Sequence, residues 1–369
     1  MLASDPPKID DLEITLFGPG IGECALVHLG NNDWMVVDSC LNPVTKNPIA
    51  IDYLKSIGLN PASAIKLLIV SHWHADHIGG LSEITRVCPE AKISYSLALL
   101  KKEFLTIVKL FSDEKSLIDR KTASTRELAD IIKELEKRCA ANMDYKSRYL
   151  VPTRSDQLLY RGQMNDKNIE VRALSPSNKS IHNAFQEFAA LIPGNSGFRG
   201  IVPAPTPNHN AIVLWIKFGK TAVLLGADLE ETSDPLTGWS AVVNSHLRPS
   251  GKANIFKVPH HGSKSAHSDA VWKEMIDPSS IAILTTKLGG RSSIPKHSDI
   301  RRIKRYTPSV FCSNEPKHKR IKRNRTVEKT IKGVVKTRKV LGDKIGQIQV
   351  RISSKSEISV NLKEPATPI

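Results

Sequence analysis

The 369-residue chain has only five cysteines, at positions 24, 40, 88, 139 and 312, and no CxxC pair. An odd and scattered set argues against a disulfide framework and against a cysteine zinc ribbon. Cys24, Cys40 and Cys312 sit in or beside strand-like runs and are expected to be buried thiols. No run of 18 or more apolar residues occurs, so no membrane-spanning helix is expected. Met1 to Lys8 lack a basic start and an apolar core. No secretory leader is therefore expected, and the expected location is cytoplasmic. Internal repeats are absent as well.

Cationic charge, by contrast, is plentiful, with 53 Lys and Arg against 37 Asp and Glu and a formal balance of +16. It is concentrated in one place. Between Arg301 and Val340, fifteen Lys and Arg face only Glu315 and Glu328. The densest stretch, Lys317 to Arg325, holds six Lys or Arg and His318. Self-repulsion predicts a mobile loop here until an anion neutralises it. Nucleic-acid phosphate is the expected partner, through Lys319, Arg320, Lys322, Arg323 and Arg325, because phosphate contacts release counterions without reading sequence. A solvated loop or an acidic protein partner is the alternative. Tyr306 and Phe311 are the segment's only aromatics, so base stacking is not indicated.

The most informative string is Ile69-Val-Ser-His-Trp-His-Ala-Asp-His-Ile-Gly-Gly80, which follows the apolar run Leu67 to Val70. Three imidazoles and a carboxylate within six residues are donors that suit zinc and its first-row neighbours. His72 and His74, two apart on an extended or turned segment, can share one metal. Asp76 and His77 then turn away and can serve a second, the arrangement used in two-metal hydrolysis.

This string resembles the HxHxDH motif of the metallo-β-lactamase superfamily, whose fold is a four-layer αββα sandwich. The resemblance implies further roles. Asp38, closing Trp34 to Val37, would stand near the metals and hold the histidine loop. Asp228, closing Ala222 to Ala227, would bridge the two metals. In Phe256-Lys-Val-Pro-His-His-Gly-Ser263 the resemblance favours His261 as a ligand. His260 would then be an outer contact, a substrate contact or a proton donor, with Lys264 and His267 as further donor candidates. His209 lies near the place of the family's third histidine of the first site, although outside its usual His-Thr-x-Gly setting. The implied metal set is thus His72, His74, Asp76, His77, His209, Asp228 and His261, with Asp38, Asp76 and His260 in catalytic duty. Two divalent ions are expected, zinc by default and manganese as the alternative.

Gly18 to Ala25, Asn208 to Leu214, Leu224 to Glu230 and Lys257 to Ser265 also resemble blocks of the metallo-β-lactamase domain of ComEC-type competence proteins. The resemblance covers residues 12–96, 166–177, 207–312 and 345–362. The usual late His-Pro pair is replaced by Ile294-Pro295, with His297 two places on. Three departures from the basic fold are expected: a helical insertion over 97–165, a loop insertion over 178–207 that could act as a lid, and a basic insertion over 313–343 before a C-terminal hairpin. All lie within one domain spanning 1–369. The resemblance implies a metal-dependent hydrolase, foremost a nuclease or phosphodiesterase on nucleic acid. A phosphodiesterase for a cyclic nucleotide or a phosphorylcholine-type substrate is the enzymatic alternative. A nucleic-acid-binding protein with a degenerate metal site is the non-enzymatic one.

Overall fold

The computed structural model describes residues 5–18, 22–100, 123–191, 207–287, 293–316, 324–334 and 344–369. The first sheet runs in the order β15 (Ile358–Lys363), β14 (Gly346–Ile352), β1 (Leu12–Gly18), β2 (Cys24–His28), β3 (Trp34–Val37), β4 (Ile65–Val70), β5 (Lys92–Ser96) and β6 (Leu150–Thr153). The second runs β16 (Thr367–Pro368), β13 (Ser309–Cys312), β12 (Ile276–Leu284), β11 (Ala253–Lys257), β10 (Thr221–Leu225), β9 (Leu214–Phe218), β8 (Lys167–Ala173) and β7 (Gln157–Met164). Both sheets are mixed. The β1–β2–β3 meander is antiparallel, and β3 through β6 are parallel. β10 through β13 are parallel in the second sheet.

Strand periodicity explains the layers. Successive side chains point to opposite faces, so Leu12, Ile14 and Leu16 of β1 share the intersheet core with Val171, Ile216, Val223 and Ile255. The outer face of the first sheet packs on Ile49, Leu54, Leu81 and Ile84, all on helices. The outer face of the second packs on Trp239, Trp272 and Ile303. The result is the expected αββα sandwich. The one charged residue of β1, Glu13, is fully buried and satisfied by Arg351 Nε at 2.7 Å and Tyr53 OH at 2.6 Å. An unpaired carboxylate there would be costly, so this contact also fastens β14 to β1.

The expected insertions take a different form in two places. Within 97–165, helix Ala123–Ala141 packs beside helix Leu81–Val87, where Glu127 Oε1 accepts from Ser82 N at 2.7 Å. Residues 150–164 are not helical, since β6 and β7 complete one edge of each sheet. Within 178–207, Asn178–Leu191 is a helix rather than a loop. The Pro- and Gly-rich composition belongs to residues 192–206, outside the described residues, whereas Ile181, Ala184 and Phe188 form a buried helical stripe. Within 313–343, Arg325–Val334 is a helix, while the loop expected over Lys317–Arg325 lies, but for Asn324 and Arg325, outside the described residues. Lys319, Arg320, Lys322 and Arg323 lie outside the described residues. Among the described residues no helix is long and apolar enough to cross a membrane.

Candidate metal centre

The chemistry gathers where neighbouring parallel strands end, the usual location of a site in open α/β sheets. β3 and β4 lie in register with Val37 opposite Ile69, so Asp38 and Ser71 emerge side by side. Asp38 sits at φ 60°, a left-handed turn in which Asp is tolerated. Its carboxylate accepts from Ser71 N at 2.8 Å and Ser71 Oγ at 2.6 Å, and it holds His77 Nδ1 at 2.8 Å. Both oxygens are therefore occupied in fixing the histidine loop.

In the second sheet, Leu225 of β10 lies opposite Lys257 of β11, and Lys257 opposite Ile283 of β12. The chain beyond each strand delivers Asp228, His260–His261 and Thr285 to one place. Gly226 permits this approach, since a Cβ there would stand 2.9 Å from the Lys257 carbonyl. The turns are tight. Ala227, His260 and His261 all have positive φ, a conformation that costs free energy and persists where surrounding contacts enforce it.

The donor atoms converge in two groups. His72, His74 and Asp228 offer atoms within 4.8 Å of one another, and so do Asp76, His77 and His261. Asp228 Oδ2 lies 3.9 Å from His72 Nε2 and 3.3 Å from His77 Nε2, so it stands between the groups. His261 Nε2 is 3.4 Å from Asp76 Oδ2. Asp38 and Glu23 also approach His77, but their oxygens are taken up by other partners.

Whether a metal fits can be judged from the unsatisfied atoms. His77 Nε2, His261 Nε2 and both oxygens of Asp228 are buried without a hydrogen-bond partner. Buried polar atoms are nearly always satisfied, and these aim at one another across a carboxylate- and imidazole-lined space. Divalent cations suit that donor set.

Protonation favours the same use at His72, His74 and Asp228. Burial holds the His72 and His74 imidazoles below their ordinary value, so each offers a lone pair. Burial also opposes the charge on Asp228, yet His77, His261 and His72 hold its carboxyl well below the usual range. Burial opposes the charge on His77 as well, but Asp228 and Asp38 raise it well above an ordinary imidazole.

His209 is placed differently from the expectation. Its Nε2 faces Glu230 Oε2 at 3.7 Å, its side chain is 36% exposed, and it joins neither donor group. The physical reason is Glu230, whose carboxylate draws both His209 and, at 2.9 Å, His260 Nδ1 to the rim. His260 Nε2 remains 4.0 Å from Asp228 Oδ2, beside the centre. His267 is engaged by Asp269 at 2.8 Å, while Lys264 is exposed.

Sequence reasoning overlooked Glu23, Lys257, Thr285 and Lys287. Lys287 Nζ reaches Asp76 Oδ2 at 2.6 Å. Lys257 pairs with Glu23 and is buried, a charge inside the apolar run of β11 that could have drawn attention.

A model of the Metallo-beta-lactamase superfamily matches residues 17–281. The chain belongs to this superfamily. Its members are metal-dependent hydrolases, and both donor groups gather His and Asp side chains able to hold a metal ion. Among solved structures, the metallo-beta-lactamase fold protein YhfI from Bacillus subtilis is 12% identical, with 82% of this chain and 95% of that one covered and a TM-score of 0.37. MEM-A1, a subclass B3 metallo-beta-lactamase from a soil metagenome library, is 14% identical over 70% and 83%, with a TM-score of 0.34. The CmlA beta-hydroxylase E377D mutant is 16% identical over 72% and 38%, with a TM-score of 0.34. No curated protein sequence matches the chain.

Proposed function

We propose that this superfamily member is a phosphodiesterase acting on nucleic acid, with His72, His74 and Asp228 holding one divalent cation and Asp76, His77, His261 and Asp228 a second. Zinc is the metal expected for so imidazole-rich a set. Divalent cations in such a centre supply an activated water and a positive field for a phosphate oxygen. The chain's own residues do the rest. Asp38 fixes His77 so that Nε2 faces inward. Lys287, 38% exposed, offers an ammonium for a substrate anion at the rim. His260, held by Glu230 at Nδ1, can exchange a proton at Nε2 with a leaving oxygen.

The observation that carries the choice of substrate is where the basic segment is rooted. Cys312 of β13 pairs in parallel with Leu284 of β12, and Ser313 N donates to Leu284 O at 2.9 Å. The chain therefore departs next to Thr285, whose hydroxyl touches His261 at 2.7 Å. It returns at Gly346, opposite Gly18. A Cβ on Gly18 would meet both Ser313 and Thr285. Ser313 and Gly346, which bound the basic insertion, thus stand beside Thr285 and the His261 it touches. Phosphates drawn to that stretch would be delivered to the centre. The ComEC-like blocks point the same way.

Neutralising Lys319, Arg320, Lys322, Arg323 and Arg325 together tests this. The slope of log K against log salt for long DNA or RNA should fall by about 3.5–4.5 units if all five meet phosphates. Hydrolysis of a small chromogenic phosphodiester should be unchanged. Equal loss on both substrates would mean that the segment supports the fold or the centre. No loss on either would favour a small phosphodiester as the natural substrate.

A further inference from the structure

The second donor group is backed by a chain of buried contacts that no ligand role explains. Thr285 Oγ1 donates to Glu23 Oε2 at 2.5 Å and lies 2.7 Å from His261 Nδ1. A threonine hydroxyl has a single proton. Once that proton goes to Glu23, the oxygen facing His261 can only accept. Nδ1 of His261 must therefore carry the hydrogen, which leaves the Nε2 lone pair directed at the centre. The opposite arrangement would turn the hydroxyl's lone pairs toward a carboxylate oxygen 2.5 Å away.

Glu23 is placed to accept: its Oε1 pairs with the buried Lys257 ammonium while its Oε2 takes the Thr285 hydroxyl. Lys257 also reaches the other side of the centre. Its Nζ donates to the Ala227 carbonyl at 2.9 Å and lies 3.9 Å from Asp228 Oδ1. Ala227 is the left-handed residue, φ 44°, that turns Asp228 inward, and its carbonyl also accepts from His260 N at 3.0 Å. Glu23 N donates in turn to the Asp76 carbonyl at 2.8 Å. One buried lysine and one buried glutamate are therefore tied to Asp76, Asp228 and His261.

We propose that Lys257, Glu23 and Thr285 form a positioning relay that fixes the tautomer of His261 and the aim of Asp228, and thereby sets metal affinity at the Asp76–His77–His261 end. The proposal rests on His261 and Asp228 being ligands. Hydrogen-bond partners of ligand histidines fix the ring and raise its basicity, and losing one costs 10–100-fold in metal affinity.

The test is a Zn2+ titration of metal-stripped protein against a chromogenic chelator, for the parent, Thr285→Val, Thr285→Ser and His261→Ala. Val matches Thr in shape and lacks the hydroxyl, so it should fold. Thr285→Val should weaken one of the two sites by about 10–100-fold and leave the His72–His74 site near the parent value. Thr285→Ser, which restores the hydroxyl, should restore the affinity. Long-range 1H–15N spectra should show His261 as a single Nδ1–H tautomer in the parent and a mixture in Thr285→Val. Unchanged zinc affinity in Thr285→Val beside a loss in His261→Ala would overturn the relay alone. Unchanged affinity in His261→Ala would overturn the ligand reading and the relay with it. Equal weakening of both sites in Thr285→Val, unrescued by Thr285→Ser, would reduce these residues to general structural support.

Discussion

At one end of the centre, Asp76, His77 and His261 bring three donors together, and each is held from behind. His77 is held by Asp38, His261 by Thr285, and Asp76 through its carbonyl by Glu23. At the other end, His72 and His74 meet Asp228 without a third imidazole, because His209 is drawn to Glu230 at the rim. There Ser71, its hydroxyl committed to Asp38, holds His72 much as Thr285 holds His261, but His74 Nδ1 is met only by His72 Nε2, at 3.2 Å. Preorganised ligands lose less on binding than ligands that must be gathered. The difference teaches that the two ends should differ in affinity, with the Asp76–His77–His261 end the tighter.

The largest effect should come from the residue that the two ends share. Asp228→Asn keeps the shape and removes the charge that faces both His72 and His77. Zinc affinity measured by chelator competition should fall at both sites, by more than the roughly 100-fold seen when only supporting contacts are lost. Loss at one site only would remove Asp228 from its shared position.

Acidity should separate the ends next. The proton on His77, stabilised by Asp228 and Asp38 against burial, must leave before zinc can take Nε2. A raised folded pKa means that this proton is still present near neutrality. Affinity at the tighter site should therefore rise with pH, by roughly tenfold per unit, until His77 is deprotonated, and fall as pH drops. His72 and His74 are already neutral, so the other site should respond less over the same range. Isothermal titration in buffers of differing ionisation enthalpy would count the released protons. No proton released at the tighter site would contradict the assignment.

The smallest effect is expected at the rim. His209→Ala should change zinc affinity by less than about tenfold, below the range for supporting contacts of ligands. A larger loss at the His72–His74 site would return His209 to the ligand set that the sequence resemblance implied.

The parts of this centre legible in the sequence are the ones written locally. Asp38, Asp228 and His260–His261 each follow a run of apolar residues, and the His72 to His77 string carries its donors within one loop. The αββα layering could likewise be anticipated from alternating strands and helices. What supports the ligands was not legible, because it is assembled across the chain: Thr285 and Glu23 are 262 positions apart. Only Lys257 left a local trace, as a cation in the buried strand β11. The helix Asn178–Leu191 was obscured for another reason. The prolines and glycines of 193–207 lie in the same window and outweighed the period of Ile181, Ala184 and Phe188.

The most direct measurement is a stepwise zinc titration of the metal-stripped protein, repeated with His261→Ala and with His74→Ala. Two binding events per chain are expected, separated by about tenfold or more in affinity. The tighter should vanish in His261→Ala and the weaker in His74→Ala. Two equal sites, or a tighter event that survives His261→Ala and disappears in His74→Ala, would contradict the account.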